Sequence, residues 1–123
     1  MDVVFVLDLS PNVQDQCDYA VMFVGNVTHG LDIDSGNVRV AVVAPLGQFY
    51  LRDYVNRREA VLAALRLLNS GGGTANTMCP CALDQVRNTH FSPSYGARDG
   101  ARKVIATFGF CFSCSVARFL CDI

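Results

Sequence analysis

The sequence contains no apolar run approaching the ~20 residues that a membrane-crossing helix needs, so no membrane span is expected. It also lacks an excess of either charge. Lys plus Arg number 10 against 11 Asp plus Glu, a net charge of -1. The small basic clusters, Arg57 with Arg58 and the stretch 98–103, sit beside predicted element starts. That distribution leaves no broad basic footprint for nucleic acid. A charged n-region, an apolar h-region and a small-residue cleavage site are missing ahead of the first apolar stretch. The chain is therefore expected to be extracellular as part of a longer secreted protein, or as an isoform whose signal peptide is not in this sequence, rather than made without export. No Gly-Lys-Ser or Gly-Lys-Thr follows the glycine run 71–73, which removes a phosphate loop. No nucleophile–base pair or cofactor fingerprint is recognisable. His29 and His90 fall at predicted helix ends, where a cation complements the helix dipole. An enzyme is not expected.

What is present is a single-domain length of 123 residues, 51% hydrophobic and 17% charged. A chain of this size buries about two-thirds of its unfolded surface. The run Val3, Val4, Phe5, Val6, Leu7 reads as a strand buried on both faces. Residues 13–29 read as a helix with Tyr19, Met22, Phe23, Val27 and Leu31 near one face and Gly30 as C-cap. A polar loop, 32–37, leads to a valine-rich strand, 38–44. Pro45, Leu46 and Gly47 turn it into a short edge strand, 48–51. Asn56 caps the next helix, 56–68, with Glu59 placed as in a capping box and Val61, Leu62, Leu65 and Leu68 as its core stripe. A third helix is expected from Thr77 to about residue 89, then a loop, 92–102, a strand, 104–108, and a short helix, 113–122. Phe5, Phe23, Phe49, Phe91 and Phe119 read as core or half-buried residues.

Alternation of strands and helices predicts an α/β fold: a Rossmann-like, open, mostly parallel sheet flanked by helices. In such sheets ligands bind beyond the carboxyl ends of the strands, where the strand order reverses. Asp8, Ser10 and Asn12 follow the first strand directly, and Gly71, Gly72, Gly73 and Thr74 follow the second helix. Taken alone, Asp8, Ser10 and Asn12 also suit capping of the first helix, and the glycines suit a flexible connection.

The ordered set resembles the von Willebrand factor type A (VWA) domain. In that family a strand ending in Asp-x-Ser-x-Ser precedes a helix, a hairpin, a second helix, a Gly-Gly-x-Thr loop, a third helix and a strand ending in Thr-Asp-Gly. The order can be followed from Val3 to Phe110. The resemblance implies a sheet of strand order 3-2-1-4, with Asp8, Ser10, Asn12, the loop 71–77 and Phe108 around one crevice. It implies a metal-ion-dependent adhesion site in which Asp8, Ser10, Asn12 and Thr74 hold Mg²⁺ or another divalent cation; Thr77 is the alternative to Thr74. Two positions depart from the pattern. Asn12 stands for the second serine, and Phe108 stands for the aspartate of Thr-Asp-Gly. A phenyl ring accepts neither a metal nor a metal-bound water, so cation binding is expected to be weak or absent. The family's domains continue for further strands, so residues 1–123 read as one VWA-like domain lacking its last strands. The strand 104–108 would then be an apolar edge open to self-association. The function implied is an extracellular protein-binding or cell–matrix adhesion module, with collagen or other matrix proteins as partners. The alternative is a structural matrix component that keeps the fold without an active metal site.

Six cysteines and the glycosylation sequon Asn26-Val27-Thr28 fit an oxidising, extracellular compartment. Cys79 and Cys81, Cys111 and Cys114, and Cys17 are expected toward the carboxyl-end face of the sheet, with Cys121 as the sixth. Disulfides are preferred over a four-thiolate zinc site, and their pairing stays open.

Overall fold

In a computed structural model of the chain, residues 1–8, 14–44, 47–69 and 86–109 are described. Strand β1 spans Asp2–Asp8, helix α1 Gln14–His29, strand β2 Arg39–Ala44, strand β3 Gly47–Phe49, helix α2 Arg57–Asn69 and strand β4 Lys103–Gly109. A π-helical turn, Val86–His90, and a 3-10 turn, Pro93–Tyr95, precede β4. The expected third helix is described only from Val86 onward, and the expected helix 113–122 lies outside the described residues.

The sheet order is β3-β2-β1-β4, as the family pattern implies. β1 pairs in parallel with β2, Val3 opposite Val40, and with β4, Val3 opposite Val104. β3 runs antiparallel beside β2 and is the short Gly47–Phe49, so the expected residues 50 and 51 already belong to a turn. Val3, Val4, Phe5, Val6 and Leu7 are each at most 2% exposed. Complete burial is worth about 1.5–3 kcal/mol for each such side chain, which explains why a run without polar alternation occupies the centre of the sheet. Val3, Phe5 and Leu7 face α1 and α2, whereas Val4 and Val6 pack with Leu51 and Val86 on the opposite face.

Both helices are present, but their inward faces are rotated from the expected ones. On α1, Ala20 and Val24 are buried, flanked by Phe23 and Val27, while Tyr19 and Met22 are 63% and 59% exposed. On α2, Ala60, Ala63, Ala64 and Leu68 face the core; Leu62 is exposed and Val61 and Leu65 are half-buried. α1 and α2 pack against each other on the same sheet face, and close-packed interiors admit only side chains that fit the gap. Alanines fill that seam, so a stripe drawn through the largest apolar residues points too far outward. Thr28 is also inside, its hydroxyl donating to the carbonyls of Val24 at 2.7 Å and Gly25 at 3.1 Å.

Gly30 ends α1 without a left-handed conformation, its N–H bonding Val27 O at 3.2 Å. The left-handed glycine in this loop is Gly36, at φ 87°. The N-terminus of α2 is capped twice. Asn56 Oδ1 accepts the amide of Glu59 at 2.8 Å, as the sequence predicts, and Asp34 Oδ1 accepts the amide of Arg57 at 2.8 Å. Losing an N-cap oxygen costs about 1 kcal/mol. Asn56→Ala is therefore expected to lower stability by about that amount in urea unfolding, and Asn56→Asp to leave it nearly unchanged, because Asp caps equally well. Equal losses in both variants would show that the cap bond contributes nothing.

Candidate functional site

The parallel register places the carboxyl ends of β1 and β4 side by side: Leu7 lies opposite Phe108, and Asp8 opposite Gly109. Asp8 is the last residue of β1, so its backbone stands where the crevice was expected. Ser10, Asn12, Thr74 and Thr77 lie outside the described residues, as do Cys79, Cys81, Cys111, Cys114 and Cys121. Cys17 lies within α1, its side chain not among those described. Of the expected crevice residues, Phe108 is the one whose side chain is described.

That side chain is not part of a polar crevice. Phe108 is half-buried and packs against the core beneath α1. Its ring centroid is 5.4 Å from that of Phe23, which makes an edge contact with Phe5 at 6.0 Å. The register explains this orientation. Side chains directly opposite on parallel strands share a face, and Leu7, the partner of Phe108, belongs to the helix-side core. A phenyl ring stabilises that aromatic cluster, but it offers no anionic oxygen to a hard cation, which takes oxygen ligands. The third-loop contribution of the family's cation site therefore does not fit this chain. Among the described residues no three His, Cys, Asp or Glu side chains come together.

Asn26 is exposed on α1 while Thr28 of the same sequon is 1% exposed. His29 is exposed in the last turn of α1, as expected of a residue at a helix end. His90 closes the π-helical turn, at a helix end as expected, but it is fully buried, its ring 4.9 Å from that of Tyr50.

The opposite, amino-terminal end of the sheet carries polar structure that the sequence reading did not find. Asp2 is fully buried, and its carboxylate accepts Arg98 Nε at 3.0 Å, Arg98 Nη2 at 2.9 Å and the Arg98 amide at 2.8 Å. Arg98 also donates to the carbonyls of Gly36 at 2.6 Å, Met1 at 2.8 Å and Asn37 at 3.1 Å. One guanidinium thus ties together the start of β1, the α1–β2 loop and the segment before β4. A single acid ahead of five apolar residues hinted at a buried charge; nothing in the spacing pointed to a partner 96 positions away. Beside this pair, Arg39 Nη1 donates to Gly96 O at 2.7 Å and Arg52 Nη1 to Ser94 O at 2.5 Å. Gly96 has φ 99°, and a Cβ there would lie 2.6 Å from the Arg52 amide nitrogen, so the approach of these two loops requires glycine.

A family model described as the von Willebrand factor type A domain matches residues 2–108. Among curated proteins, integrin alpha-1 of Gallus gallus is 30% identical over 109 residues. The match takes in 85% of this chain and 37% of that protein, so the chain spans well under half the length of the relative. With the β3-β2-β1-β4 sheet, the paired carboxyl ends of β1 and β4, and a family match over nearly the whole length, this chain belongs to the von Willebrand factor type A domain family.

Proposed function

We propose that this chain is an extracellular protein-binding module for cell–matrix adhesion, acting by binding rather than catalysis, with its cation dependence weakened or lost. The family match and the similarity to integrin alpha-1 support the adhesion and protein-binding character. The observation that carries the cation part is Phe108, whose ring occupies the aromatic core where the family pattern has an acid. Asp8, Ser10 and Thr74, or Thr77 in its place, are the inherited oxygen ligands in this reading. Collagen or another matrix protein is the partner class. Asn26, exposed on α1, is the glycan acceptor, and the cysteines form disulfides. β4 ends the described sheet with Ile105 39% exposed, which supports self-association along that edge.

Isothermal calorimetry with Mg²⁺ is expected to give no saturable heat at millimolar cation. Retention on a collagen-coated surface is expected to be the same in EDTA and in Mg²⁺. Tight Mg²⁺ binding would overturn the loss of cation dependence. Absence of any retention on collagen in both buffers would favour the second reading, a structural matrix component that keeps the fold alone. That reading is favoured by the same Phe108, because a residue committed to core packing stabilises the domain whether or not a ligand binds.

A further inference from the structure

A concavity of about 180 Å³ opens at the amino-terminal end of the sheet, lined by Ile33, Val38, Leu51, Tyr54 and Val55 together with Arg39 and Arg52. β1 has seven residues, and at about 3.3 Å per residue this opening lies roughly 20 Å from the end that holds Asp8. We propose that it is a second, cation-independent docking site for a protein partner, taking a short segment in which an acidic residue adjoins a bulky apolar one.

Charge complementarity selects the acid. Among the described residues the charged ones that line the concavity are the two arginines, and neither forms an ion pair with a described acid. The acids in the surrounding loops are engaged elsewhere. Asp32 accepts the Asn37 side-chain amide at 2.7 Å, Asp34 the Arg57 amide at 2.8 Å and Asp53 the Tyr50 amide at 2.7 Å. Arg39 and Arg52 are each held through one Nη1 by a backbone carbonyl, of Gly96 and Ser94. Arg52 also lies over the Tyr95 ring at 5.4 Å. The guanidinium groups are thus held in place, and among the described residues each has one side-chain hydrogen bond, which leaves its other N–H donors to a ligand. A preorganised fork of this kind suits a carboxylate and lowers the ordering cost of binding.

The walls select the apolar neighbour. Val55 is 73% exposed at the rim, and Leu51 and Ile33 form a buried floor. A sulfated glycan or other polyanion would use the arginines and leave these walls uncovered, so a peptide is the better occupant.

The test is a chemical-shift titration of the isotope-labelled chain in EDTA with the capped peptide acetyl-Leu-Glu-Leu-amide. Saturable shifts are expected at the amides of Gly36, Val38, Arg39 and residues 51–55, and none at Asp8. Arg52→Gln, at an exposed position, is expected to weaken binding about tenfold, the scale of one charged hydrogen bond. Val55→Glu, which sets a carboxylate on the rim without touching the core, should weaken it similarly. The peptide acetyl-Leu-Gln-Leu-amide should bind at least as weakly. Equal shifts with the glutamine peptide would overturn the role of the arginines. Tighter binding of a sulfated disaccharide at the same amides would reassign the site to polyanions. No saturable shift at millimolar peptide would remove the proposal, and would leave the reading at the other end of the sheet untouched.

Discussion

Arg98→Ala is expected to be among the most destabilising single changes in the chain, costing about 3–5 kcal/mol, the range for stranding one partner of a buried pair. Asp2 has no exposed surface, and the guanidinium supplies two of the three hydrogen bonds that reach its carboxylate. Without Arg98 the carboxylate would keep one amide donor, the Gly36 carbonyl would lose the guanidinium, and the carbonyls of Met1 and Asn37 would be left with the Arg39 amide and the N-terminal ammonium alone. A domain of this size has about 5–15 kcal/mol of stability in total, so the variant would unfold at a much lower urea concentration. Arg98→Lys keeps the charge but has no planar fork to span Asp2 and three carbonyls; it should lose a substantial part of the same energy. The double variant Asp2→Asn with Arg98→Met should be more stable than Arg98→Ala alone, because no buried charge is left without compensation. A loss under about 1 kcal/mol for Arg98→Ala would mean that the pair behaves like a solvated surface contact.

The general plan of this domain was legible because it rests on composition. Five consecutive apolar residues in β1 can be buried only at the centre of a sheet covered on both faces, and they are. Asn56 three residues ahead of Glu59 fixed the start of α2, and the cap bond is present. Helix orientation was less legible. Tyr19 and Met22 are larger than Ala20 and Val24, yet the gap between α1, α2 and the sheet admits the smaller residues. Which face turns inward depends on the spacing between packed elements, a tertiary quantity that periodicity does not carry. The Asp2–Arg98 pair was invisible for a related reason, since it joins residues near opposite ends of the chain. At the carboxyl end, Phe108 was recognised as a departure from the family pattern, but the use made of it was not. Its contact with Phe23 follows from the register with Leu7 and from which way α1 faces.

Phe108→Asp separates the core role of this position from its inherited place at the cation end. In EDTA the variant is expected to lose about 3 kcal/mol, since a half-buried aromatic is removed from Phe23 and a carboxylate takes its place in apolar surroundings. Phe108→Leu, which keeps apolar volume, should cost less than half as much. Phe108→Asn matches the aspartate in shape without its charge and measures the packing loss alone. The thermal midpoint of the natural chain should not move between EDTA and millimolar Mg²⁺. A ligand that binds only the folded state raises stability by RT ln(1 + [L]/Kd). If the carboxylate can swing from the core toward Asp8 and Gly109, the next pair in the register, Mg²⁺ should restore part of what Phe108→Asp lost and nothing of what Phe108→Asn lost. Such a selective gain would show that Asp8, Ser10 and Thr74 converge beside β4 and that one substitution disabled their site. A Mg²⁺-dependent midpoint in the natural chain would refute that disabling, and an aspartate variant indifferent to Mg²⁺ would refute the convergence.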